Sequence, residues 1–272
     1  MKRTEIDVDG TRASYLTAGQ GPVVLLLHGT YWSRVWQPVI DQLATRGLQP
    51  IAVDLPGCGR SDGELDLHSA TVPALAAWVE RFLQAIDAPE PINLAGHDIG
   101  GAIAQHLTAR PTRTIARLAL VNSVSYDSWP VPGVARFRDP DVVAAITTDD
   151  LLTMRATALT TAIARPLNDD EREDYLSPWT DLRVGRSWMA IAAAADSRYT
   201  QQLMPDLRAN PIPKLLLWGQ DDTFQPITYA HRLHTELPNS TLHLIPHAGH
   251  IPMENNPTLV ANTLADFFTR ST

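Results

Sequence analysis

The sequence predicts an α/β protein: a mostly parallel eight-stranded sheet, flanked by helices, with a helical segment inserted late in the chain. Three observations carry this. Short apolar runs such as Val23–Leu27 recur, the pattern of strands buried on both faces. Helical periodicities alternate with them, as βα units require. Between residues 125 and 205 the alternation lapses into helical sequence punctuated by Pro130, Pro132, Pro140, Pro166 and Pro178.

In chain order, residues 3–9 and 12–18 read as a hairpin across Asp9-Gly10, a strong turn signal. Val23–Leu27 is a buried strand, followed by His28-Gly29-Thr30-Tyr31 and a helix over 36–46. Pro50–Val53 is the next strand, and it ends in a Gly- and Asp-rich loop, Asp54 to Gly63. Val72, Leu75, Trp78, Val79, Phe82 and Leu83 give an amphipathic helix over 69–87. Ile92–Ala95 is a strand that turns into a helix over 99–109, and Ile115–Val121 is the sixth strand. After the insert come strands at 214–218 and 241–245, each followed by a helix (226–237 and 256–270). The reading divides the chain into a core, 1–124 with 206–272, and a helical cap, 125–205, inserted after the sixth strand.

The 272 residues suffice for a large single core with an insert. A net charge of −8 argues against nucleic acid or an anionic membrane as partner. The single cysteine, Cys58, permits no internal disulfide and suits a reducing compartment. The N-terminus turns polar too early for a signal peptide, and no apolar run approaches a membrane span, so the expected location is the cytoplasm. No metal or cofactor motif is present, and none is expected.

Leu94-Ala95-Gly96-His97-Asp98-Ile99-Gly100-Gly101 organises the chain. A Gly-x-nucleophile-x-Gly string between strand and helix is the context of a nucleophile elbow, and here Asp98 holds the nucleophile position. Glycines at 96 and 100 suit a turn too tight for a Cβ. Three more polar motifs follow strands: His28-Gly29, Gly219-Gln220-Asp221-Asp222 and His247-Ala248-Gly249-His250. In open α/β sheets, ligands bind beyond those strand ends.

The order nucleophile, acid, histidine, and the strand each follows, resemble an α/β-hydrolase with a helical cap, over essentially the full fold. The elbow resembles the branch that includes epoxide hydrolases and haloalkane dehalogenases, in which Asp replaces Ser. That resemblance implies an alkyl ester formed on Asp98 and hydrolysed by a water that a histidine deprotonates. It points to His250 as the base, with His247 as competitor, because Gly249 precedes it and Pro252-Met253-Glu254 follow. It makes Asp222 the orienting acid, with Asp221 as alternative. Val121-Asn122-Ser123, where some members carry that acid, has no carboxylate. The oxyanion hole falls to the backbone N–H groups of Ile99 and Thr30. His28 and His97 are expected to be structural, and Cys58 inert.

The substrate is less legible. Haloalkane dehalogenases generally carry Trp after the nucleophile, where this chain has Ile99; the usual His-Gly-x-Pro is altered by Tyr31. Epoxide opening needs a proton donor from the cap, which offers Tyr126, Tyr175 and Tyr199. Tyr31 and Trp32, beside the oxyanion loop, are further candidate contacts. Arg136, Arg138, Arg155 and Arg165 read as a solvated face. The expected function is hydrolysis of a small apolar epoxide through an Asp98 ester. Alternatives are dehalogenation by the same route, a reaction in which Asp98 is a base, or ligand binding without catalysis. The expected partner is a small apolar organic molecule, and the expected state a monomer or homodimer.

Overall fold

A computed structural model describes residues 1–29 and 31–270. Eight strands form one sheet in the order β1-β2-β4-β3-β5-β6-β7-β8. They are β1 (Lys2–Val8), β2 (Thr11–Thr17), β3 (Val23–Leu27), β4 (Gln49–Val53), β5 (Ile92–Asp98), β6 (Ile115–Ser123), β7 (Lys214–Gly219) and β8 (Ser240–Ile245). The β1–β2 and β2–β4 pairs are antiparallel and every other pair is parallel. The first two strands join at Asp9 (φ 53°) and Gly10 (φ 82°), the left-handed pair that a tight hairpin turn requires.

Strand alternation distributes the core to both faces. Val23, Leu25 and Leu27 pack with Val79, Phe82 and Leu83 on one side. Val24 and Leu26 pack with Val39, Ile40, Leu43 and Leu264 on the other. The helices of the first side include α2 (Val72–Ala85) and α3 (Ile99–Ala109), and those of the second α1 (Gln37–Thr45) and α13 (Pro257–Thr269). Helix α2 starts later than its periodicity suggests, because Asp66 and Ser69 close a turn and the Thr71 hydroxyl caps Ala74 N–H.

Between β6 and β7 lies the helical cap region: α4 (Pro132–Ala135), α5 (Pro140–Ala145), α6 (Thr148–Ala162), α7 (Asp169–Leu176), α8 (Leu182–Ala194), α9 (Arg198–Gln201) and α10 (Met204–Ala209). The remaining helices are α11 (Ile227–Glu236) and α12 (Pro252–Asn255). The strand order reverses between β3 and β5, so the loops after these strands flank a crevice beneath the cap. No helix among the described residues is long and apolar enough to cross a membrane.

Candidate active site

Asp98 ends β5 and is forced into φ 54°, ψ −123°, a conformation that L-residues resist. The elbow glycines explain how the chain tolerates it. A Cβ on Gly96 would sit 2.4 Å from Gly100 O, and one on Gly100 would sit 2.3 Å from Leu27 O. Gly29, at the end of β3, is as constrained: its Cβ would lie 2.6 Å from Ile99 N and 2.7 Å from Asp98 Cβ. The strand end after β3 thus abuts the nucleophile position and the N–H of Ile99. Thr30, the other expected N–H donor, lies outside the described residues.

The loop after β8 brings His250 over Asp98, with Nε2 3.8 Å from Asp98 Oδ2. On its other edge, Nδ1–H donates to Asp222 Oδ2 at 2.9 Å. Asp222 is buried and fully engaged, accepting also from Asn122 Nδ2 (2.6 Å) and from the N–H groups of Phe224 (2.7 Å) and Gln225 (3.0 Å). His247 and Asp221, the alternatives, are both exposed on the surface. Burial opposes charge on His250, but the Asp222 and Asp98 carboxylates outweigh it and push the imidazole up to about 10. Burial would likewise raise the Asp222 carboxyl, yet the His250 charge and the donors around it hold it below its ordinary range.

Two further histidines are neutral supports. His28 accepts the Leu55 N–H on Nε2 at 2.9 Å, and burial lowers its pKa. His97 donates Nε2–H to the carbonyl of His250 at 2.8 Å, while burial and the charge of His250 depress it to about 4. His97 therefore fixes the backbone of the histidine above it. Burial pushes the Cys58 thiol up to about 12, which leaves it unreactive.

Asp98, Ile99 and His250 line a cavity of about 230 Å³ under the cap. Its walls are largely apolar: Val124, Trp129, Val134, Met154, Ile191 and Phe224 among them. Tyr31 lines it, but the hydroxyl donates to the Arg155 carbonyl at 3.0 Å. The other four expected contacts are not among the described residues lining the cavity, and each packs elsewhere. Tyr175 donates to Glu254 Oε1 (2.9 Å), and Trp32 Nε1 donates to Tyr175 O (3.1 Å). Tyr126 is buried beneath the Arg232 guanidinium, 3.7 Å from its ring centroid. Tyr199 packs half-buried against the core on the α3 side. These contacts are set by partners many residues distant in the chain.

Two arginines expected on a solvated face lie elsewhere: Arg165 is half-buried against Glu171 and Glu254, and Arg155 is in the cavity wall. Arg155 is 4% exposed and lines the cavity, rather than facing solvent as Arg136 and Arg138 do. Its guanidinium carbon lies 4.4 Å from the Tyr31 ring centroid and 4.8 Å from those of Trp179 and Trp188. Burial lowers its pKa, and Tyr31 and Asp98 work against that. A signal did exist. The buried positions of α6 are Leu151, Arg155, Leu159 and Ala162, so Arg155 falls in register with the apolar stripe.

Residues 22–257 match the family model of the alpha/beta hydrolase fold. This chain belongs to that family. As an α/β-hydrolase it has curated relatives of several descriptions. An uncharacterized protein of Mycobacterium tuberculosis is 30% identical over 92% of this chain and 76% of its own. A cis-3-alkyl-4-alkyloxetan-2-one decarboxylase of Shewanella oneidensis is 24% identical over 100% and 89%. A pimeloyl-[acyl-carrier protein] methyl ester esterase of Vibrio vulnificus is 28% identical over 94% and 98%. Among solved structures, the epoxide hydrolase CorEH superposes with a TM-score of 0.83 (24% identity, 98% of both chains). The haloalkane dehalogenase DbeA of Bradyrhizobium elkani does so with 0.83 (23% identity, 97% of this chain and 96% of that one). The fold is thus that of an α/β-hydrolase enzyme, and the relatives span several reactions.

Proposed function

We propose that this α/β-hydrolase forms an alkyl ester on Asp98 at an sp³ carbon of a small, largely apolar substrate. The observation that carries the reading is a carboxylate at the elbow, 3.8 Å from a histidine that is itself anchored to Asp222. Attack at an acyl carbon is the task of a hydroxyl or thiol activated by a base. A carboxylate, already anionic, suits displacement at a saturated carbon. Esterification then removes one of the two charges that sustain the His250 imidazolium, so its pKa falls and it becomes a competent base for water. Water adds to the ester carbonyl, the oxyanion forms beside Ile99 N–H, and Asp98 is released with the alcohol.

A leaving group that departs as a stable anion fits the cavity better than an epoxide oxygen. None of the three cap tyrosines that would protonate an alkoxide is among the described residues lining the cavity, Tyr175 donates to Glu254, and Tyr31 donates to a backbone carbonyl. The names of two similar proteins, a haloalkane dehalogenase and an oxetan-2-one decarboxylase, contain groups of this kind: a halide and a ring ester. Epoxide opening remains the second reading, because a protonated His250 beside Asp98 is a proton donor in its own right.

Intact-protein mass of the His250→Ala variant, after incubation with haloalkanes, small lactones and epoxides, tests both. A gain of substrate minus hydrogen halide, or of a whole lactone, supports the first. A whole-epoxide gain supports the second. An absence of adduct with every compound, in a folded variant whose parent turns one of them over, overturns the ester route.

A further inference from the structure

We infer that Arg155 is a carboxylate subsite, and that the carbon attacked by Asp98 carries a carboxylate or releases one. This rests on the Asp98-ester reading above and adds the substrate class to it. The cavity wall is apolar, yet it buries a guanidinium to 4% exposure within electrostatic reach of the nucleophile. Burying a cation costs desolvation that an apolar side chain filling that wall would not incur. Three aromatic rings at 4.4 to 4.8 Å hold it by cation–π contact. Its planar fork matches a carboxylate with two parallel hydrogen bonds, a geometry no spherical anion shares.

Its position is fixed relative to the reacting groups. The last residue of α6, Ala162, accepts the Ile251 N–H at 3.1 Å. A Cβ on Gly249 would lie 2.7 Å from the same carbonyl. The helix that carries Arg155 is thus seated directly on the loop that carries His250.

Charge conservation gives the arrangement its logic. When Asp98 becomes an ester, its negative charge passes to the leaving group inside an apolar cavity. A four-membered lactone does this within one molecule. An Asp98 oxygen bonds to the saturated ring carbon, the ring C–O bond breaks, and its electron pair remains on the new carboxylate, with no proton transferred. Water later adds to the ester carbonyl, giving a 3-hydroxy carboxylate and free Asp98. A 2-halo carboxylate is the other source: it brings its carboxylate with it, and halide leaves with the electron pair.

Calorimetric titration tests the subsite without turnover. The probes are butanoate and hexanoate, against 1-butanol, 1-hexanol and bromide, on the wild-type chain and on Asp98→Asn, whose elbow is neutral like the ester. The alkanoate is expected to bind at least tenfold tighter than the matched alcohol. Arg155→Gln should remove that preference, and Arg155→Lys should keep part of it. Comparable binding to wild type and Asp98→Asn identifies a substrate-borne carboxylate. Binding at least tenfold tighter to Asp98→Asn identifies one generated as the leaving group. Equal binding of alkanoate and alcohol, or bromide competing as well as alkanoate, overturns the subsite. Because the titration needs no reaction, a preference for alkanoate without any His250→Ala adduct would sink the ester route alone; an adduct without the preference would sink only the subsite.

Discussion

His250 Nε2 stands 3.8 Å from Asp98 Oδ2, longer than a hydrogen bond but close enough for the carboxylate to sustain the imidazolium. The imidazole titrates near 10 in the folded chain against about 6.5 unfolded. Its contribution to stability is therefore complete below pH 6.5 and is lost as pH rises through about 10. His97 has the opposite sign. Held near 4, it contributes fully above pH 6.5 and progressively less as pH falls toward 4. Urea unfolding from pH 4 to 10 should show both limbs. His250→Gln should flatten the upper one and His97→Gln the lower; an unchanged upper limb in His250→Gln refutes the assignment.

The backbone of Asp98, at φ 54°, stores strain that glycine does not feel. Both Asp98→Gly and Asp98→Ala should abolish turnover, since both remove the carboxylate. The glycine variant should be the more stable of the two by about 1–2 kcal/mol. Chemical denaturation of the pair isolates the backbone term, and equal midpoints would count against strain at the elbow.

Gly29→Ala should be a catalytic lesion more than a structural one. The new methyl would press on Ile99 N and Asp98 Cβ, displacing the N–H proposed to receive the oxyanion. Loss of one such donor costs about 10²–10³ in kcat. Single-turnover assays should place the loss in ester hydrolysis, with accumulation of the Asp98 adduct. A variant with normal turnover would show that Ile99 N–H has no part in the reaction.

Glu254 is 3% exposed at its side chain and joins the cap to the histidine loop. It accepts from Arg34 Nη1 (2.7 Å), Tyr175 Oη (2.9 Å) and Arg165 Nη2 (2.5 Å). Removing the charge with Glu254→Gln leaves the buried Arg34 under-compensated, at about 3 kcal/mol. The melting temperature should fall by roughly 5–10 °C. Differential scanning calorimetry checks this, and a shift under 2 °C would mean that solvent or Asp174 takes over.

The parts of this molecule that were legible in the sequence share a cause: local chemistry dictates them. The apolar run Val23–Leu27, the Asp9-Gly10 turn and the glycines around Asp98 each state their conformation without reference to distant residues. The strand ends were less exact, since β5 runs on to Asp98 and β6 to Ser123 through polar residues paired across the sheet. The cap side chains were misread because their partners are remote. Tyr175 answers to Glu254, 79 residues on, and Trp32 to Tyr175, 143 residues on. Asn122, which orients Asp222 from 100 residues away, gave no local sign of doing so. Arg155 was hidden by its type, since a lone arginine on a weakly amphipathic helix reads as solvated until its register with Leu151 and Leu159 is counted.

The seating of α6 on the histidine loop has a consequence for traffic. A swing of that helix would pull on Ile251 and so unseat its neighbour His250, dismantling the chemistry each time the door opened. Exchange of substrate and product is expected instead beside Val131, Gly133 and Val134, which line the cavity where Gly133 is exposed. Substitutions at Val131 or Val134 would then alter which molecules arrive without moving His250, whereas a displaced α6 would alter the reaction itself.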